Sequence, residues 1–426
     1  MTAKSLGSKR IAMRRARNVP SARSVPSARS VSSARSVPSA RSVRSARGSR
    51  GAKRVAKRST VRQVTGEVQR GREAGFAKGV EHGRWYGKCE AVISKMQFQP
   101  PVFPIHVMFV ATAKGYPYAP LDAAIADTLR SMTARFSLTN VQQPVVQQAE
   151  ALRPDVVIFL DGLQYPPDQV DAIRALGIRT AIWFTDDPYY SDITRSLAPH
   201  YDYVFTLESN CVEFYRQLGC QNVFYLPLGV NPAEFRPRNP DLSLRREISF
   251  VGSAYHKRVD FFNQITPYLL TRDVSITGLW WDRLNDYKLM QSRVRAGEWM
   301  GPLDTAANYN GAKIVINMHR AHDDETFNSN TVSQVTAISP NPRTFEISAC
   351  GTLQLTDIRD DLARFYVPGV EIDTYSTPHE LVQKLDYYLN NEEARQAVAL
   401  RAMYRTMKEH TYAHRLTTML SIMFPL

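Results

Sequence analysis

The sequence predicts an α/β protein with two doubly wound parallel sheets behind a basic N-terminal arm. Three observations lead there. Short continuous apolar runs alternate with amphipathic helical stretches from about residue 101 onward, which is the pattern of parallel strands covered on both faces. The alternation pauses once, at the Pro- and Asn-rich "PLGVNPAEFRPRNP", and then restarts, so two domains of similar size are joined by one linker. Charge separates the arm from the rest. The chain of 426 residues has a formal charge of +14, yet residues 1–58 hold 17 Lys and Arg and no acid, leaving 37 basic against 40 acidic residues elsewhere.

Residues 1–62 form the arm. From Ser21 the unit S-A-R-S-V-P recurs every six residues as SARSVP, SARSVS, SARSVP and SARSVR. Six residues match no helical stripe, proline breaks helices, and one valine per unit builds no core, so disorder is expected. The arm reads as a solubilising tail or as an arginine array that gathers an anionic polymer or surface, with affinity falling as salt rises. A nucleic-acid-binding reading rests on this arm alone, because the body has no basic surplus.

Residues 63–100 follow, with glycine at 71, 75, 79, 83 and 87. Spacing of four draws a slowly drifting stripe on one helix face. Each glycine costs an isolated helix about 1 kcal/mol relative to alanine, so a close-packed second backbone is expected, through self-association or a partner. The other reading is a glycine-rich linker.

Residues 101–235 make the first α/β domain. "IHVMFVATA", "DVVIFLDG", "RTAIWFTDDP", "YDYVFTLES" and "NVFYLPLG" read as strands, with "PLDAAIADTLRSM", "PDQVDAIRALG" and "CVEFYRQLG" as helices. Residues 236–411 make the second. Its strands are "EISFVGS", "VSITGLWW", "KIVINMHR" and "TLQLTD", and its helices include "DFFNQITPYLL", "TFEISAC" and "PHELVQKLDYYLNN". Residues 412–426 form a last helix.

Four scattered cysteines, with no CxxC pair, argue against a disulfide framework or structural zinc and fit a reducing compartment. The N-terminus lacks the apolar stretch of a secretory signal, and no run of about 18 apolar residues suggests a membrane span. A cytoplasmic location is expected.

Ligands of such sheets bind beyond the carboxyl ends of the strands, where candidate chemistry gathers. Strand "EISFV" ends in Gly252-Ser253, followed by Lys257 and Arg258. A small-residue turn with two cations suits a diphosphate, although the residues alone favour a plain strand-to-helix turn with exposed cations. Asp186 and Asp187 end "WFTDDP"; they orient or deprotonate a hydroxyl, or cap a turn before Pro188. His319 follows "KIVINM" as a site residue or a strand-end histidine. In "SPNPRTFEISACGTLQLTD" (339–357) Glu346 stands among apolar residues, three after Arg343. A buried unpaired carboxylate is costly, so Glu346 either pairs with Arg343 to hold the turn or accepts hydrogen bonds from a vicinal diol such as a ribose, with Arg343 and the backbone of Asn341 to Thr344 beside the attached phosphates.

Taken in order, "WFTDDP", "PLGVNPAEFRP", "FVGSAYHKR", "AKIVINMHR", "SPNPRTFEISACGTLQLTD" and "HTYAHRLTTML" resemble the GT-B glycosyltransferases. More closely they resemble the CgeB group, named for a spore maturation protein. The resemblance covers residues 103–426. It implies two Rossmann-like domains facing across a cleft, with the acceptor on the first domain and a nucleotide-diphosphate sugar on the second. Residues 412–426 would cross back to the first domain. Glu346 would bind the donor ribose, and Gly252, Ser253, Lys257 and Arg258 its diphosphate, beside Asn341, Arg343 and Thr344. Asp186, Asp187 and His319 are the catalytic candidates. The resemblance implies no metal and no cofactor besides the donor, and a hexosyl transfer to a glycan or protein acceptor of a spore or cell surface. Related retaining enzymes carry a second glutamate where Ile338 stands here, which leaves retention or inversion open. A catalytically inert scaffold of a spore surface layer is the alternative.

Overall fold

The computed structural model describes residues 50–426 other than Phe327 and Leu426, with side chains described from Thr65 onward. The repeats and the rest of residues 1–49, expected to be disordered, lie outside the described residues. Residues 50–62 were expected to continue the arm without structure, yet a helix runs from Arg50 to Lys95. That stretch contains no proline, unlike the repeats, so nothing in it breaks a helix. The chain forms one unit ending at Glu73 and a second from Ala74 to Leu426, which holds both sheets.

Within the second unit the end of this helix seats Trp85, Cys89, Val92, Ile93 and Met96 against core residues around the second sheet. Its glycine stripe points elsewhere. A Cβ added at Gly75, Gly79, Gly83 or Gly87 would meet no described atom within 4 Å.

The first sheet is all parallel, with order β2-β1-β3-β4-β5-β6. Its strands are β1 (Phe103–Ala111), β2 (Thr133–Asn140), β3 (Val156–Leu160), β4 (Arg179–Phe184), β5 (Tyr203–Thr206) and β6 (Val223–Tyr225). The second sheet, also parallel, has order β12-β11-β10-β7-β8-β9. It contains β7 (Arg246–Val251), β8 (Val274–Gly278), β9 (Val294–Ala296), β10 (Ala312–Asn317), β11 (Leu353–Asp357) and β12 (Asp373–Tyr375). Each order reverses once, between β1 and β3 and between β7 and β10. Those switch points open a crevice at the carboxyl ends of the strands.

Three strands that the apolar runs did not reveal, β2, β9 and β12, are all edge strands. β2 is polar and largely exposed, and β9 and β12 have three residues each. An edge strand has one neighbour and less apolar burial, so its sequence carries little signal.

The helix Tyr412–Met423 inserts Leu416, Met419 and Leu420 into the core of the first sheet beside Phe103 and Trp183. Its approach depends on Gly229, because a Cβ there would stand 2.7 Å from the Tyr412 nitrogen. The two sheets are also tied together by the segment before Asn341. The Glu208 carboxylate, on the first sheet's side, accepts from the backbone N–H groups of Ile338 and Ser339, each at 3.1 Å. Asp192 accepts from those of Val332 and Ser333 at 3.1 and 2.7 Å.

Candidate active site

The carboxyl ends of the two sheets enclose a cavity of about 370 Å³. Its floor on the second side begins where β7 stops. Gly252 has φ +152°, and a Cβ there would lie 2.1 Å from Arg343 Nη1; a Cβ on Gly278 would lie 2.1 Å from the Gly252 oxygen. Only glycine at both positions lets the β7 and β8 ends and the arginine come so close.

Two guanidinium groups converge on that floor. Arg343 donates to the Val251 and Met318 carbonyls at 2.5 and 2.9 Å, and Arg258 to those of Ser253 and Met318 at 2.9 and 2.7 Å. Both are thereby anchored to the ends of the neighbouring strands β7 and β10. Neither has a carboxylate within salt-bridge distance among the described residues. Burial and the adjacent Arg343 pull Arg258 down to about 9. Arg320, also on the wall, stacks 4.1 Å from the Tyr189 ring centre and 4.6 Å from that of Tyr255. Arg258 and Arg343, neither in a salt bridge among the described residues, can receive an anion.

Glu346 shares this wall. Its helix, Pro342–Ala349, starts with Asn341 as N-cap, whose side chain accepts from the Thr344 N–H at 3.1 Å. One turn in, the half-buried Glu346 carboxylate faces the cavity and has no hydrogen-bond donor among the described residues. Burial pushes its carboxyl up to about 7, against the pull of Arg343. The Arg343–Glu346 ion pair considered above does not form, because Arg343 spends its donors on backbone carbonyls. Beyond β8 and β9, Leu279, Trp299 and Met300, with Tyr116 and Pro117 opposite, supply an apolar wall.

The first sheet contributes Asp186, which follows β4. It lines the cavity and accepts from the Tyr118 hydroxyl at 2.5 Å. Burial raises its carboxyl, as does neighbouring Asp161; the Tyr118 hydrogen bond, Lys114 and Arg320 act the other way. Asp161, at the end of β3, is itself buried and paired with Lys114. Lys114, Tyr118 and Asp161 escaped the sequence reading, although Asp161 ends an apolar strand in the same way as Asp186.

Asp186, Gly252, Ser253, Arg258, Asn341, Arg343 and Glu346 are thus brought to one cavity. Four other candidates are placed elsewhere. Asp187 points into the first core, where its carboxylate accepts from Thr206 and Tyr215 hydroxyls at 2.6 and 2.8 Å; neighbouring side chains at a strand end diverge. Lys257 pairs with Asp323 at the surface at 2.6 Å, because one helical residue turns about 100° away from Arg258. His319 is buried, its Nδ1 2.5 Å from Asp357, and burial holds it down to about 4. Thr344 is buried under the helix start, accepting from the Asn317 amide at 3.0 Å.

A family model described as "Glycosyl transferase-like" matches residues 257–421. Spore protein CgeB of Bacillus subtilis (strain 168) is 28% identical over 309 residues, covering 72% of this chain and 95% of that protein. Over that span the chain is similar to this spore protein. Sucrose-phosphate synthase from Thermosynechococcus elongatus superposes with a TM-score of 0.51 at 10% identity, over 75% of this chain and 99% of that one. Anabaena HepE, solved in complex with UDP and glucose, gives 0.52 at 10% identity over 76% and 100%. At such identities the likeness is one of fold. The chain therefore has the GT-B fold, and the cavity lies between its two sheets.

Proposed function

We propose that the protein transfers a sugar from a nucleoside-diphosphate sugar to an acceptor hydroxyl within this cleft. The observation that carries the reading is Glu346, a carboxylate without a hydrogen-bond donor among the described residues, placed beside two arginines that form no salt bridge there. A ribose diol would supply Glu346 with two donors, and a diphosphate would neutralise Arg258 and Arg343. The flat wall around Trp299 and Met300 suits the base. UDP in HepE supports a nucleotide ligand here.

Asp186, set by Tyr118, takes the proton of the acceptor hydroxyl as that oxygen bonds to the sugar's anomeric carbon. The bond from that carbon to the diphosphate breaks, and the arginines stabilise the departing charge. The product of this reading is a spore-surface or cell-surface glycan or glycoprotein, made in the cytoplasm with a hexose as the transferred sugar; the likeness to a spore protein supports the spore association alone. No helix among the described residues is long and apolar enough to cross a membrane.

A thermal-shift screen of the full chain against UDP, GDP, ADP, TDP and CMP tests the reading. A nucleotide at 100 times its Kd adds about 2.7 kcal/mol. One nucleotide should shift the wild type and lose its effect on Glu346→Ala, whereas no shift by any would refute the reading. A scaffold that binds donor without turnover is the second reading. It is favoured by Ile338, an apolar residue whose N–H is held by Glu208, and donor consumption with released nucleotide would eliminate it.

A further inference from the structure

A second cavity, of about 670 Å³, opens at the carboxyl ends of β1 and β2. It differs from the cleft in chemistry. Its walls include the amides of Asn140, Gln143 and Gln148, with Thr139 behind them. Asn140 Oδ1 accepts from the Gln142 N–H at 2.9 Å, which leaves its Nδ2 donors. The side chains of Gln143 and Gln148 make no hydrogen bond among the described residues. Thr139 is 7% exposed, and its hydroxyl has no partner there. Amides present a donor and an acceptor side by side, which matches neighbouring hydroxyls on a sugar ring. The two ionic groups of the wall are already engaged. Asp122 accepts from the Thr112 N–H and hydroxyl at 2.9 and 2.6 Å, and Lys114 pairs with Asp161. The cavity therefore offers neutral hydrogen-bonding groups rather than an uncompensated charge.

It also adjoins the cleft. Lys114 and Ala119 face the second cavity, whereas Tyr116, Pro117 and Pro120 face the cleft, so one stretch of chain forms the partition. Lys114 Nζ stands 4.4 Å from the Tyr118 ring centre, and Tyr118 holds Asp186. A chain-like molecule with its reacting hydroxyl at Asp186 would pass over this partition.

We propose that the second cavity is a subsite for the distal sugars of an oligosaccharide acceptor, which makes the acceptor a neutral, hydroxyl-rich glycan several residues long. This rests on the transferase reading of the cleft, since it takes Asp186 as the point of attack. The amides sit on a largely apolar lining that includes Ala111, Ala113, Ala119 and Leu138, which suits the apolar faces of sugar rings, and the volume is within the usual range for ligand sites.

The test is calorimetric titration of the full chain, saturated with UDP, with cello-, malto- and chito-oligosaccharides of one to five units. At least one series should gain about tenfold or more in affinity between one and three units. The double variant Asn140→Ala, Gln148→Ala should lose that gain while its UDP thermal shift stays at the wild-type value. Both positions are surface amides outside the core, so folding is retained. No gain with length in any series, or a gain that survives the double variant, overturns the proposal; a peptide acceptor would give the first result. If the length gain appears and is lost in the variant but UDP gives no shift, the glycan subsite stands and the transferase reading fails. If UDP shifts the protein and length has no effect, the cleft reading stands and the subsite falls.

Discussion

Replacing Glu346 by glutamine should make the ligand-free protein more stable and its nucleotide binding weaker. Burial lifts this carboxyl from 4.5 to about 7. At about 1.4 kcal/mol per pH unit, holding it ionised costs the fold at most about 3.5 kcal/mol, and solvent at this partly exposed side chain lowers that to about 1–2. The sign follows from linkage. A raised carboxyl binds its proton more tightly when folded, so the stabilisation is full below pH 4.5 and lost as pH rises through about 7. Glutamine carries no such dependence. Variant and wild type should therefore respond alike to pH below 4.5 and separate between 4.5 and 7, the variant gaining a few degrees in Tm relative to wild type. Binding goes the other way. Charge-assisted hydrogen bonds contribute about 1.5–3 kcal/mol each, and an amide replaces part of two. A loss of about 2–3 kcal/mol means UDP binding roughly 30- to 150-fold weaker. Thermal melts from pH 4 to 8 and calorimetric UDP titrations at pH 8 measure both. A variant that melts lower at pH 8 and binds UDP as tightly as wild type would show that Glu346 serves the fold, and the reasoning would be refuted.

Asp186→Asn should lower kcat by at least about 100-fold with UDP affinity unchanged. In the wild type the acid limb of kcat should lie above the ordinary carboxyl value of 3.8, because burial raises the group and it acts deprotonated; an unaltered kcat would remove Asp186 from the chemistry. Gly252→Ala should cost about 1–3 kcal/mol in strain and weaken UDP binding by displacing Arg343, and an unchanged melt with normal affinity would count against the close approach. Glu208→Ala strips acceptors from the buried Ser339 N–H, at about 1–3 kcal/mol, and from the half-buried Ile338 N–H at less, and hydrogen exchange at those two amides should accelerate. The imidazole signals of His319 should show no titration from pH 5.5 to 8, since burial holds the group down to about 4; a midpoint near 6.5 would place it in solvent.

Some of the cleft was legible because the residues themselves announce a conflict. Glu346 among apolar neighbours and the Gly252-Ser253 turn before Arg258 are odd at the level of sequence, and oddity of that kind points to a site. Sequence spacing did not say which of two adjacent residues faces the cavity. Asp186 and Asp187 are chemically identical and consecutive, Lys257 and Arg258 are consecutive cations, and the direction of each Cα–Cβ bond separates lining from core or surface. Tyr118 and Lys114 carried no anomaly of their own. Their relation to Asp186 and Asp161 spans 68 and 47 positions and exists only after the sheet has formed.

The sequence alone determined the architecture of the body: two α/β domains, parallel strands, one linker. Apolar runs and helical periodicity are local properties, and burying them on both faces of a sheet leaves few arrangements. It also determined that the basic charge belongs to the arm, since charge is additive along a chain. The tertiary structure decided the rest. It showed β2, β9 and β12, three of the four edge strands, whose short or polar sequences carry too little apolar signal. It showed that Arg343 turns to the ends of β7 and β10 and leaves Glu346 facing the cavity, and that the glycine stripe lies against nothing described in the same chain. Each of these depends on which distant groups compete for a donor or a surface, and that competition is settled in space, not along the chain.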